Sequence, residues 1–291
     1  MGFKHTAKRL LPPIVFDIRR YFLNRMSRKC EYVPEGWQAR ESRIKGWNVE
    51  SVPTRLQAKW PQFLRAVENR GPLMVAHPLW NADRAPILSA ADYAWHNTAM
   101  AYAYVLALAA RKLDRLSLLD WGGGTGHYYV LSKALLPGVE IDYHCKELPL
   151  LCQYGRKLLP EARFYEAEED CFTRSYDLVL ASSSLQYSHD WKGTISRLAS
   201  VSRSYLYVTR HPIVRRAASF VVVQRMYSQG YQTEALSWLL NRDEFLNHMA
   251  ALQMELVREF LINEWIYAHG APEDGESRGF LFRPVPKGTS E

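Results

Sequence analysis

Cysteine is scarce, with four in 291 residues, and Cys30, Cys145, Cys152 and Cys171 form no CxxC pair and have no companion histidine at a metal-ligand spacing. That excludes a zinc ribbon or a disulfide framework as the basis of the fold, and the thiols are expected to be free and buried, with no metal site. Long apolar runs are also missing. The longest, residues 99–110, falls short of the roughly 20 residues a bilayer crossing needs and contains Tyr102 and Tyr104, so it reads as a buried helix. The apolar run at 10–16 is broken by Pro12 and Pro13, and no small-residue cleavage site follows it. It does not read as a secretory signal, and the cytoplasm is the expected location.

Nor is positive charge spread along the chain. The formal net charge is +7, and residues 1–29 alone hold eight bases (Lys4, Lys8, Arg9, Arg19, Arg20, Arg25, Arg28 and Lys29) against Asp17. The remainder is formally balanced, whereas an enzyme acting on nucleic acid would carry its excess around a cleft; a nucleic-acid partner is not expected. Within the basic segment Ile14, Ile18, Tyr21, Phe22 and Met26 recur at helical spacing behind Pro12 and Pro13, with Arg19, Arg20 and Arg25 pointing elsewhere. Such a helix suits packing on its own domain, and equally peripheral contact with an anionic membrane surface through residues 1–29 at the inner face of the cytoplasmic membrane.

Residues 30–53 are rich in Gly, Pro, Trp and charge without a sustained period and read as an irregular connection. Helical patterns follow at 55–69 and 92–113, separated by turn formers at 71–78, so residues 1–113 are expected to form a basic helix and a helical extension. Beyond 113 short apolar strands alternate with helices. Strands are expected at 117–120, 139–144, 163–165, 176–182 and 205–209, and helices from Gly126, at 150–159 and near 191–201. That alternation predicts an α/β domain over 114–291 with a mostly parallel sheet and helices on both faces. A helical insertion at about 211–253 and two late strands, 254–261 and 279–283, complete the expectation.

In LLDWGGGTGHYY, residues 118–129, an apolar strand ends in an acid, a glycine cluster follows, and then a helix begins. Ligands of open α/β sheets bind at that edge. Lacking Cβ atoms, Gly122, Gly124 and Gly126 permit a sharp turn and let a ligand lie against the backbone. The dinucleotide fingerprint GxGxxG fails in both frames, because its third glycine would be His127 or Tyr129, and GxxxxGK[ST] is absent. The loop therefore suits S-adenosylmethionine better than a nicotinamide cofactor or a nucleoside triphosphate, with Asp120 placed for the methionine ammonium or its bound water. A second acid is expected at the end of the next strand, about 20 residues on, to meet the ribose hydroxyls. Glu147 stands there; Asp142 is the alternative, inside the strand.

These residues resemble a family of methyltransferases found among bacterial cell-envelope and surface-polysaccharide genes, whose pattern is DxGGxxGxxY, then ExP, then SxxLQY. Here the elements are Asp120, Gly122, Gly123, Gly126 and Tyr129; Glu147 and Pro149; and Ser182, Leu185, Gln186 and Tyr187. The resemblance spans roughly residues 116–283. It implies a Rossmann-like class I methyltransferase fold with a seven-stranded sheet whose last two strands form an antiparallel hairpin at one edge. It also implies S-adenosyl-L-methionine as cofactor, with Gly123 and Ser182 joining Asp120, Gly122, Gly124, Gly126 and Glu147 around it.

Methyl transfer needs a nucleophile in line with the sulfonium methyl, and a hydroxyl acceptor also needs a base. Loops after the fourth and fifth strands offer Tyr187, His189 and Asp190, then Arg210 and His211. Histidine titrates nearest neutrality, so His189 and His211 are the candidate bases, while Tyr187 is a candidate for orienting substrate. Tyr128 and Tyr129 are candidates for substrate contact or core, and His77 and Trp80 for a lid or a local packing cluster. The expectation is methyl transfer to an oxygen or nitrogen of a small molecule or glycoconjugate, with a non-catalytic adenosylmethionine-binding protein of envelope assembly as the alternative.

Overall fold

The computed structural model describes residues 29–75 and 88–286. The basic segment up to Arg28, and His77 and Trp80, lie outside the described residues. The first elements are strand β1 (Cys30–Val33), helix α1 (Ser51–Glu68), helix α2 (Ala90–Ala109), strand β2 (Arg115–Trp121), helix α3 (His127–Leu135), strand β3 (Glu140–Lys146), helix α4 (Pro149–Leu158) and strand β4 (Arg163–Tyr165). They are followed by strand β5 (Tyr176–Ser182), helix α5 (Trp191–Ser200), strands β6 (Ser202–Val214), β7 (Phe220–Arg225) and β8 (Glu234–Asn241), helix α6 (Arg242–Ala251), and strands β9 (Met254–Ile266) and β10 (Gly275–Pro284).

Seven strands run in the order β4-β3-β2-β5-β6-β10-β9, the first five parallel and β10 antiparallel to both β6 and β9. This is the Rossmann-like class I methyltransferase architecture, with the late hairpin at the edge. Period-two alternation divides the core. Leu116, Leu118, Leu178 and Leu180 face α1, α2 and α3, while Leu119, Trp121, Val179 and Ala181 face α5 and α6. Ser89 and Asp92 close a capping box at the start of α2. That helix contains residues 99–109 and buries Ala99, Tyr102, Val105, Leu106 and Ala109. Among the described residues no helix is long and apolar enough to cross a membrane. All four cysteines are buried and free.

Two expectations need correction. The stretch 211–253 is not a helical insertion: only α6 is a helix of any length there. β6 runs on to Val214, its last residues pair in parallel with β8, and β8 pairs antiparallel with β7, which pairs with β1. Val221, Val222 and Val223 are β-branched and favour a pleated surface, and their partners lie in β8 and in β1 nearly 200 residues upstream. The connection at 30–53 likewise contains β1, so with β7 and β8 the sheet has ten strands among the described residues rather than seven.

A bulge in β6 has consequences for the site. Val208 pairs with Phe280 and His211 with Arg278, so β6 advances three residues while β10 advances two. Arg210 takes up the extra length in a left-handed conformation, φ 50°.

Candidate functional site

Glycine geometry builds the floor of the site. Gly122, Gly124 and Gly126 have φ of 73°, 63° and 90°. A Cβ at Gly122 would stand 2.3 Å from Ser184 Cβ, and one at Gly123 would meet Asp120 Oδ2 at 2.4 Å. At Gly124 the same atom would meet nothing nearer than His127 Nδ1 at 3.9 Å, so its open side faces the cleft. Asp120 is fully buried beneath the loop. Its Oδ2 accepts a hydrogen bond from Tyr143 at 2.5 Å, and Oδ1 has no partner. Burial raises the Asp120 carboxyl to about 7, assisted by the nearby Glu147 and opposed by the Tyr143 bond.

Glu147 follows directly on the β3 tip and lines the cleft beside the loop. Oε1 accepts from the Gly124 amide at 3.0 Å and Oε2 from the Leu148 amide at 2.6 Å. Burial pushes this carboxyl up to about 7 against those two bonds. Asp142, by contrast, is engaged away from the cleft by Arg163, by Arg115 at 3.1 Å, by Arg174 at 3.3 Å and by His144 at 3.1 Å.

From the end of β5, Ser182 shares a 2.8 Å hydrogen bond with Tyr128, and Ser183 adopts φ 52° with its amide bonded to the Thr209 carbonyl. Ser184 donates to the Trp121 carbonyl at 2.7 Å, which ties this loop to the glycine turn. Tyr187 lines the cleft, but its hydroxyl donates to Gln224 Oε1 at 2.8 Å and burial raises its pKa. Tyr129 is buried in the core against Tyr143, at a ring distance of 5.3 Å.

The two histidines do not meet at the cleft. His211 lies within β6 rather than after it, because the bulge at Arg210 turns it onto the α6 side, 5.4 Å from the Phe245 ring. It is fully buried, neither ring nitrogen has a partner, and burial lowers its pKa to about 3. As a proton acceptor in the cleft, His211 is excluded by this placement. His189 stacks on Trp37 at 5.6 Å with Nδ1 4.0 Å from Glu41 Oε2, its side chain 47% exposed. It is absent from the cleft lining.

The cleft has a volume of about 1470 Å³ and is lined by Glu147, the glycine loop, α1 and the β7–β8 turn. That exceeds the roughly 300–1,000 Å³ of a pocket for one small ligand. Its roof is the face of α1 carrying Arg55, Lys59, Gln62 and Phe63, anchored where Trp60 and Phe63 pack at 5.0 and 4.7 Å on the His127 ring. At the end away from Glu147, Arg210 forms a two-point pair with Glu264 (Nη2 to Oε1 2.9 Å, Nε to Oε2 3.2 Å) and lies 4.4 Å from the Trp95 ring. Sequence reasoning reached Arg210 only as a loop residue and missed Glu264, Trp95, Arg55 and Lys59. The spacing of Arg55 and Lys59 on one helical face was readable, but its destination was not.

No family model matches the chain, and no curated protein does. Solved structures similar to it include the magnesium protoporphyrin IX methyltransferase of Synechocystis PCC 6803 with S-adenosylmethionine bound, at 11% identity over 82% of this chain and 99% of that one, TM-score 0.44. An amino pentose methyltransferase of Micromonospora echinaspora with S-adenosylmethionine bound is 14% identical over 69% and 99% of the two chains, TM-score 0.41. The cyclase SpnF is 16% identical over 80% and 95%, TM-score 0.46.

Proposed function

We propose that the chain transfers a methyl group from S-adenosylmethionine to an oxygen or nitrogen of a small molecule or glycoconjugate, in keeping with the resemblance to methyltransferases of cell-envelope polysaccharide genes. The observation that carries this reading is the joining of the Glu147 carboxylate to the Gly124 amide in one wall of a cleft larger than one small ligand needs.

The residues present fit the cofactor. Each Glu147 oxygen uses one acceptor site on a backbone amide, which leaves a lone pair on each for the two hydroxyls of a ribose. Gly124 lets a ligand approach the backbone where a side chain would stand. Asp120 Oδ1, buried without a partner directly under the loop, supplies negative potential below the methionine portion. When bound, the cofactor supplies an electrophilic methyl on sulfur.

The chain's own contribution is then placement and exclusion of water. Ser182, Ser183 and Tyr128 form the wall between the glycine loop and Arg210, and α1 roofs it. With His211 in the core and His189 outside the lining, neither of these two histidines serves as the base, and the transfer relies on positioning. Calorimetry with S-adenosylmethionine, S-adenosylhomocysteine and NAD tests the cofactor. Mass spectrometry of envelope glycans and small metabolites after gene deletion tests the acceptor through a missing methyl mass. Tight cofactor binding without turnover on any extract would favour the non-catalytic binding protein.

A further inference from the structure

Under the α1 roof the cleft holds two cations beside Tyr231 of the β7–β8 turn, which packs with Met226, Val52 and Leu151. Arg55 and Lys59 stand one turn apart on the cleft face of α1, and Lys59 Nζ lies 5.5 Å from the Tyr231 ring centre. Arg210, from the β6 bulge, lines the same cleft. Like charges at this helical spacing repel, and burial together with Arg55 lowers the Lys59 pKa.

The other arginines of the cleft are compensated. Arg225 faces Glu31 at 2.8 Å and Arg210 faces Glu264. Among the described residues no carboxylate lies within ion-pair distance of Arg55 or Lys59. Arg55 is nevertheless held in place. Its Nε donates to the Gln229 carbonyl at 3.3 Å, and among the described residues neither terminal nitrogen has a partner. Gly230, at φ 89°, lets the turn come so near that a Cβ there would meet Arg55 Nε at 2.9 Å. Arg210 uses Nε and Nη2 on Glu264 and keeps Nη1. A strained backbone aims it into the cleft, since unbroken alternation from Val208 would have turned residue 210 into the core that contains Phe245.

We infer that this part of the cleft binds a phosphate or carboxylate group of the acceptor, held by Arg55 and Lys59, with Arg210 in the same lining. The inference rests on the methyl-transfer reading for the word acceptor; the anion site itself stands on the cations. A planar guanidinium with two free terminal nitrogens matches the paired oxygens of such a group, and an ammonium adds a point charge.

The test is calorimetric titration of the full chain with sodium pyrophosphate at low ionic strength, in the presence of saturating S-adenosylhomocysteine. One site is expected. The double variant Arg55→Gln, Lys59→Gln should weaken it at least tenfold, because two charge-assisted contacts are lost. Affinity for S-adenosylhomocysteine should stay within about twofold of wild type, a bound well inside the tenfold step of one such contact. The control variant Arg111→Gln, Arg216→Gln, which removes equal charge outside the cleft, should leave pyrophosphate binding intact.

No pyrophosphate binding by the wild type, or equal binding by both double variants, overturns the inference. So does a tenfold loss of S-adenosylhomocysteine affinity in the Arg55, Lys59 variant with pyrophosphate competing for it, since the pair would then hold the cofactor's own carboxylate. Pyrophosphate binding by a protein that ignores S-adenosylhomocysteine would keep the anion site and remove the methyl-transfer reading.

Discussion

Glu147 and Gly124 are joined by a 3.0 Å hydrogen bond from the loop amide to the carboxylate, so one side chain fixes the glycine turn against the tip of the neighbouring strand. The carboxyl is buried to do this, and burial lifts it from 4.5 to about 7. An unfolded chain releases this proton near 4.5, whereas the folded one keeps it until about 7. Glu147 therefore favours the fold fully below about 4.5, and that contribution is lost as pH rises to about 7.

Ligand hydroxyls donating to Glu147 favour the ionised form. Affinity for S-adenosylhomocysteine should accordingly rise with pH up to about 7, with proton release on binding below that point. Calorimetry in two buffers of different ionisation enthalpy measures that release. Glu147→Gln should remove its share of the slope in both stability and binding, and any slope that persists belongs to Asp120, lifted to the same range.

His211 should be dispensable. It is buried beside Phe245 with two unpartnered nitrogens, and its pKa lies near 3. The native ring stays neutral while the unfolded one takes a proton below about 6.5, so His211 opposes folding increasingly as pH falls from about 6.5 towards about 3. His211→Phe should leave stability at neutral pH unchanged or raise it by about 1 kcal/mol, and should lessen acid sensitivity. Denaturant melts at two pH values check this. Loss of turnover in a stably folded variant would contradict the placement.

Glu264→Gln leaves the Arg210 guanidinium with a weaker, neutral partner. A loss of about 1–2 kcal/mol is expected, the lower part of the range for charge-assisted bonds because the Glu264 side chain is 36% exposed. Glu264→Asp, which keeps the charge but shortens the reach, should recover part of it. Urea unfolding midpoints decide, and equal midpoints for wild type and Glu264→Gln would show that the pair contributes nothing.

The glycine turn and the place of Glu147 were legible because each depends on a few neighbouring residues: an apolar strand, an acid, glycines, and a second acid at the next strand end. The bulge was not. Arg210 and Pro212 look like loop residues after Thr209, and only pairing with Phe280 and Arg278, some 70 residues later, shows that the strand continues. β8 was missed for a similar reason. Leu236, Leu239 and Leu240 fall at helical spacing, and their extended conformation is decided by β7, which covers them as a partner. The meeting of Arg55 and Lys59 with the β7–β8 turn is tertiary throughout, since helix periodicity gives a face but not what that face meets.

The central claim is tested most directly by titrating S-adenosylhomocysteine into the wild type and into Glu147→Ala, with NAD as the control ligand and thermal melts run first. The wild type should bind S-adenosylhomocysteine and not NAD. The variant should melt as a folded protein and bind about 10- to 150-fold more weakly, the loss of about 1.5–3 kcal/mol typical of a charged hydrogen-bond partner. Gly124→Val should bind more weakly still, because its branched side chain would enter the cleft from a backbone at φ 63°. A wild type that binds NAD and ignores S-adenosylhomocysteine would contradict the account.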